Sequence, residues 1–265
     1  IVKWLKYYIL MLTMKIIALA FVFVTVVLAA CTKEKAEKQR EAVVFSANDD
    51  ITAKLNEFRE QLGVLNTTTD QVSGRREINW DGVPDSMLSK KLPDDFFNQT
   101  TPGAPASLRR GLMYAGNTGE FQISDNKFAS LNVNAAGEFT SFSGNKIFSN
   151  TTANRWPVTF RVAGKTEHAF IKGFGAVFID VDLANSTSVE FFDNNNSVGK
   201  FFVPPHTANS SFSFLGVYFP GDERITTVEV KHDGILADGQ KDISAGGPKD
   251  LVVLDDFIYS EPVKQ

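Results

Sequence analysis

The second half of this chain is a succession of short runs in which apolar and polar residues alternate, and that pattern constrains the fold more than any other feature. Val158, Phe160 and Val162 alternate with polar neighbours, as one face of a strand requires, because successive side chains of an extended chain point to opposite sides. Further runs occupy Phe174–Leu183, Ser188–Asp193, Gly199–Val203, Ser211–Phe219, Ile225–Lys231 and Leu251–Tyr259, with turn-forming residues between them. Spaced strands without alternating helices predict a mainly β fold, an antiparallel β-sandwich of the jelly-roll kind, rather than an α/β fold. The clearest hairpin joins Val189–Phe192 to Lys200–Val203 through Asp193–Gly199, whose Asp, Asn and Gly residues tolerate the left-handed backbone of tight turns. Phenylalanine, at 23 copies against 3 Trp and 5 Tyr, has no polar handle and points first to a core.

Upstream of these runs the texture differs. Arg76–Trp80 is a candidate first strand, and a proline-punctuated irregular stretch follows from Asp81 to about Arg110. Ile51, Leu55, Phe58 and Leu62 recur at helical spacing, with Asn48, Asp49 and Asp50 as cap candidates before them and Gly63 behind, so an amphipathic helix is expected over residues 50–62. Thr32 to Glu41 is charged and lacks apolar anchors, which reads as a solvated tether. A single domain is expected over residues 44–262.

Met14-Lys15, the apolar stretch Ile16 to Val27 and then Leu28-Ala29-Ala30-Cys31 supply the basic start, apolar centre and small-residue cleavage site of an export signal. The segment resembles the lipobox of bacterial lipoproteins, which implies that the Cys31 sulfur receives a lipid and becomes the mature N-terminus. Residues 1–30 are then a signal peptide, with 1–13 upstream of a start at Met14, and residues 31–43 are the lipid-anchored tether. The competing reading is one transmembrane helix beginning as early as Trp4. Cys31 is the only cysteine, so the exported domain keeps no thiol for disulfides or thiolate zinc sites. Losing Lys3, Lys6 and Lys15, the charged side chains of residues 1–30, takes the net charge from −4 to −7. An acidic body argues against capture of nucleic acid and leaves sugars, metal ions and protein surfaces open.

Four segments carry a wider resemblance: Gly74-Arg75-Arg76-Glu77-Ile78-Asn79-Trp80-Asp81-Gly82-Val83-Pro84, Leu92-Pro93-Asp94-Asp95-Phe96-Phe97-Asn98, Gly173 to Asp182, and Val253-Leu254-Asp255-Asp256-Phe257-Ile258-Tyr259. Together they resemble an uncharacterised family of secreted bacterial proteins over roughly residues 44–262, and that resemblance implies no activity. The C-terminal half is also similar to the galactose-binding-like jelly rolls of carbohydrate-binding modules, in which a closing strand ends in an acidic pair. That likeness implies a structural calcium ion joining an acid of the closing strand to one near the first strand, with Asp81 and Asp85 the nearest matches to the latter. Fold likeness by itself does not carry function.

The residues suggest several sites. Asp255 and Asp256 lie inside an apolar run, and strict alternation puts them on opposite faces, so at least one approaches the interior and needs a metal, a proton or a partner. Calcium held by Asp81, Asp85, Asp255 and Asp256 is one answer, since calcium takes six to eight oxygens. Pairing with Arg75, Arg76 or Arg224, or capping of backbone amides, is the other. Asp180 and Asp182 form an i, i+2 pair that suits a metal or sugar hydroxyls, and equally a solvated strand face. Asp193, Asn195 and Ser197 match the first ligand positions of an EF-hand loop, but Val198 and Pro204 break the pattern and a hairpin turn fits better. Trp80 and Trp156 are the aromatics suited to stacking on a sugar ring, with core positions the alternative. His168, His206 and His232 lack zinc-site spacing, and no nucleophile elbow, phosphate loop or dinucleotide fingerprint occurs.

The chain therefore reads as an exported, lipid-anchored, non-catalytic binding module of the bacterial cell envelope, with carbohydrate the leading ligand class. A structural or assembly protein contacting another envelope protein is the alternative. A hydrolase with paired carboxylates across a cleft is the third reading.

Overall fold

A computed structural model describes residues 41–114 and 118–265. The signal peptide, Cys31 and the tether up to residue 40 lie outside the described residues. Among those described, no helix is long and apolar enough to cross a membrane. The described chain runs β1 (Val43–Asn48), α1 (Thr52–Leu62), β2 (Arg75–Ile78), β3 (Leu112–Tyr114), β4 (Phe121–Ser124), β5 (Ile147–Asn150), β6 (Arg155–Phe160), β7 (Ala169–Phe170) and β8 (Gly173–Ile179). It continues through β9 (Ser188–Asp193), β10 (Asn196–Phe202), β11 (Phe212–Tyr218), β12 (Ile225–Lys231), β13 (Val253–Ser260) and β14 (Val263–Lys264).

A seven-stranded sheet has the order β1-β11-β8-β13-β5-β4, with β2 also paired to β13, and a five-stranded sheet has the order β10-β9-β12-β6-β3. All these pairings are antiparallel. One apolar cluster draws Phe148, Phe174, Phe178 and Phe257 from the large sheet and Trp156, Phe160, Phe191 and Val228 from the small one. The two sheets thus share a core, and the fold is the expected β-sandwich. The hairpin β9–β10 forms as anticipated but turns more tightly, at Asn194-Asn195, with a bulge between Ser197 and Gly199. The tether reading needs correction at its end, because Val43 already pairs with Tyr218 at the sheet edge.

The outer face of the large sheet is covered. Asp50 Oδ1 accepts from the Thr52 amide and starts α1, whose Leu55, Phe58 and Leu62 join Ile51 in packing on Val177, Phe214 and Ile258. Beside it Phe128, Ala135, Phe139, Leu236 and Leu251 cover Ile147, Ile179 and Val253. Helix and sheet approach closely because Gly175 and Gly216, paired across β8 and β11, leave the space that the Phe58 ring fills. A Cβ at Gly216 would stand 2.9 Å from that ring, and one at Gly175 would stand 2.8 Å from it.

Gly216→Ala should therefore lower stability by about 1–3 kcal/mol through overpacking, and Phe58→Ala by about 3–5 kcal/mol through the void it leaves. In the double variant the new methyl enters that void, so the two losses should sum to more than is measured. Urea unfolding of the four proteins checks this, and strict additivity would contradict the packing described.

Candidate functional site

Two groups of acids are built into the large sheet and its loops, and they resolve their burial differently. The first lies in the middle of β13. The β13–β8 register slips between Leu254 and Phe257, so Asp255 and Asp256 together oppose a single residue of β8. Before this bulge Leu254 faces the shared core and Val253 the outer face; after it Phe257 and Tyr259 face the core and Ile258 the outer face. The bulge thus changes the phase of the strand and brings both acids to the outer face, where strict alternation had placed them on opposite sides.

There Asp255 Oδ2 accepts from the amides of Phe142 (2.7 Å) and Ser143 (3.1 Å), and Asp256 Oδ1 accepts from Ser143 Oγ (2.6 Å). Asn79 Nδ2 donates to the same Ser143 Oγ at 2.7 Å. Arg59 Nη2 of α1 stands 3.8 Å from Asp256 Oδ2 while its fork grips Glu77. Burial raises the pKa of both acids, and the neighbouring Asp256 charge raises Asp255 further, to about 7. The Ser143 hydrogen bond works in the opposite direction on Asp256.

Asp81 and Asp85 do not complete a calcium site with this pair. Asp81 Oδ1 accepts from the Asn145 amide at 2.8 Å, and Asp85 pairs with Lys146 at 2.8 Å. The four residues Asp81, Asp85, Asp255 and Asp256 form no metal-sized grouping among the described residues. The expected calcium position is therefore corrected: amides, a serine and a lysine engage these four carboxylates, with Asp81 Oδ2 left as a single buried oxygen without a partner. The arginines named as partners are engaged elsewhere, Arg75 with Glu77 and Arg76 in a buried pair with Glu261.

Trp80 and Trp156 are likewise corrected as sugar-stacking residues, because both are fully buried. Trp80 stacks on Phe148 at 4.3 Å and meets Phe257 edge-on at 4.9 Å. Trp156 packs edge-on against Phe121 and Phe148, and its Nε1 donates to His232 Nε2 at 3.3 Å. His232 Nδ1 lies 2.8 Å from the Gly234 carbonyl, and burial pushes its pKa down to about 4, so the ring is a neutral bridge in the core.

The second acid group is where the structure gathers ligand-type oxygens. Asp180 follows β8 in the left-handed region, φ 66°, which ends the strand and turns its side chain toward Asp182 and Asp242. One carboxylate oxygen from each of these three residues lies within 4.8 Å of the others. Asp242, in the β12–β13 loop, is fixed by the Ser244 and Leu251 amides, each at 2.7 Å. Asp250 accepts from the amides of Asp182 and Leu183 and from Ser186 Oγ, which shapes the loop that carries Asp182. Glu138 accepts from Ser210 through its carbonyl, and the same amide reaches Asp180 Oδ1 at 3.2 Å.

Three buried oxygens in this group have no hydrogen-bond donor: Asp180 Oδ2 and both oxygens of Asp182. Burial is the largest cause of the raised pKa values, about 8 for Asp180 and about 7 for Asp182, and the further causes raising them are Asp242 and neighbouring acids. Asp250 is raised as well, again chiefly by burial. An all-oxygen donor set with uncommitted lone pairs suits a hard divalent cation rather than zinc or copper. This cluster can hold a metal ion. Asp180 and Asp182 were legible as a pair; Asp242 carries no sequence signal beyond an Asx turn in a polar loop.

The Asp255 pKa lies above its ordinary value of 3.8, so this group stabilises the fold below about pH 4 and that contribution is lost as pH rises through about 7. Asp255→Asn keeps a donor toward Asp256 and an acceptor for the two amides. It should flatten the decline in stability between pH 5 and 8 relative to wild type, measured by urea unfolding at one fixed calcium concentration. Equal slopes in the two proteins would contradict the shared burial of the pair.

No family model, curated protein or solved structure matches this chain.

Proposed function

We propose that the chain is a lipid-anchored, exported, non-catalytic binding module whose sandwich is stapled by a structural calcium ion and whose ligand is carbohydrate. The observation that carries the calcium part is the trio Asp180, Asp182 and Asp242 with three buried carboxylate oxygens that no donor satisfies. Calcium fits because it accepts many oxygens in irregular geometry, whereas magnesium demands a compact octahedron and keeps its waters. The ion would join the end of β8 to the β12–β13 loop, a staple for a domain without disulfides.

The two faces of the sandwich support the binding part. Helix and loops cover the large sheet, while the outer side chains of the small sheet, such as Arg155, Lys200 and Phe202, are exposed. A polar, uncovered sheet face offers hydrogen bonds to hydroxylated ligands. Exposed large apolar side chains occur in small sets, Val64, Leu65 and Val72 in the α1–β2 loop and Val43 with Val44 on β1, and a docking surface for an envelope protein is the second reading. The anchor at Cys31 and the placement in the bacterial envelope belong to the same proposal, as do the kinship with secreted bacterial proteins and with jelly-roll carbohydrate-binding modules.

The unit of residues 41–265 is compact and serves for the tests. A hundredfold calcium excess over Kd should stabilise the fold by about 2.7 kcal/mol and raise the melting midpoint by about 5–11 °C. Asp182→Asn should abolish that rise while raising the midpoint in chelator, since the amide removes repulsion from an ion-free cluster. An unchanged midpoint between excess calcium and excess chelator would overturn the staple. A glycan array should return at least one bound saccharide; an array without signal, run in calcium, would overturn the carbohydrate reading.

A further inference from the structure

A groove of about 310 Å³ opens where the β9–β10 turn, the ends of β6 and β12, and β7 come together. Its floor includes Thr159 and Thr227, which face each other directly across β6 and β12. Asn195 of the turn, His168 and Arg161 line its walls.

Two of the lining residues, Asn194 and Thr226, are committed to shaping the turn: Thr226 Oγ accepts from the Asn194 amide, and Asn194 Nδ2 donates to Asp193, which also accepts from the Arg224 amide. In the groove, the side chains of Thr159, Thr227, Asn195 and His168 have no hydrogen-bond partner among the described residues. Arg161 gives only Nη1, to the Phe160 carbonyl at 3.0 Å, which leaves Nε and Nη2 of its fork without a protein acceptor. The side-chain charge of the lining is this guanidinium. Paired hydroxyls, an amide and an imidazole, together with a single planar cation, complement a hydroxylated ring that carries one anionic substituent.

We infer that this groove is the ligand site of the module and that it takes an acidic sugar, with Arg161 on the anionic group and Thr159, Thr227 and Asn195 on ring hydroxyls. This rests on the carbohydrate reading above and adds the place and the charge class of the ligand. It needs no aromatic platform, consistent with the burial of Trp80 and Trp156. The groove residues are separate in the chain from the Asp180, Asp182 and Asp242 cluster, so ligand binding and calcium binding can be tested apart.

The test is titration calorimetry on residues 41–265 in calcium at low salt, with a uronate oligosaccharide, a sulfated oligosaccharide and a neutral oligosaccharide of matching linkage. One charge-assisted contact predicts at least about a tenfold preference for one or both acidic ligands over the neutral one. The uronate and sulfated arms identify which anion it is. Arg161→Gln should reduce that preference to near parity while leaving neutral affinity within about twofold. Thr227→Tyr, which fills the groove, should weaken all binding at least about tenfold, with the melting midpoint and calcium response confirming that each variant is folded. Neutral and acidic ligands bound equally, or binding indifferent to both substitutions, would overturn this inference and leave the carbohydrate reading standing. No binding to any saccharide, here and on the array, would overturn both.

Discussion

Strand β13 runs through the middle of the large sheet, paired on one edge with β8 and on the other first with β5 and then with β2. A central strand has no solvent edge, and two adjacent carboxylates within it would normally send one into the core at a cost of several kcal/mol. The bulge at Asp255-Asp256 removes that conflict by rotating the strand through half its repeat. Everything on either side depends on it, because Leu254 before the bulge and Phe257 and Tyr259 after it reach the same core. Were these same residues to alternate strictly, without the bulge, either the aromatic pair or Leu254 would face outward. The acids are thus the cheapest residues to strand on the outer face, where the Phe142-Ser143 amides meet them.

The same outer face explains the asymmetry of the molecule. Having collected Val177, Phe214 and Ile258, it needs a cover, and α1 supplies one through Ile51, Leu55, Phe58 and Leu62. Arg59 on the same helix reaches both Glu77 and Asp256, so the helix is docked by apolar packing and positioned by charge. The small sheet has no such apolar outer face: its exposed side carries Thr159 with Thr227 and the ion pair Arg155–Glu229. One sheet is therefore a wall of the core, and the other is a surface presented to solvent.

The sequence was informative wherever alternation survived. Strands β8 to β13 were read nearly to their ends because one face is apolar and turns separate them. Strands β4 and β5 went unread because each has four residues: Phe121, Gln122, Ile123 and Ser124 alternate over too short a run to stand out, and Ile147, Phe148, Ser149 and Asn150 show no period. β1 was taken partly for tether because it is an edge strand with Val43 and Val44 exposed. The tryptophans misled through their neighbours: Asn79 and Asp81 are polar because Asn79 caps the short turn that follows, while Trp80 between them points inward. Periodicity has no means of announcing a bulge, and so the acidic pair was assigned to two faces instead of one.

The two acid groups can be weighed against each other. Asp255 and Asp256 are supplied with two amides, a hydroxyl and a nearby guanidinium, so their burial is met by the protein itself. Asp180 and Asp182 sit among Asp242, Asp250 and Glu138, and the local donors fix Asp242 and Asp250 while giving Asp180 one amide, at Oδ1, and the Asp182 carboxylate none. That arrangement leaves Asp180 Oδ2 and both Asp182 oxygens bare. Without an ion, the raised pKa values of Asp180 and Asp182 let bound protons offset their burial, so a cation would compete with protons for this cluster. Three converged carboxylates, with Asp242 held by two amides and three oxygens of Asp180 and Asp182 unsatisfied, form the arrangement that a divalent cation would complete.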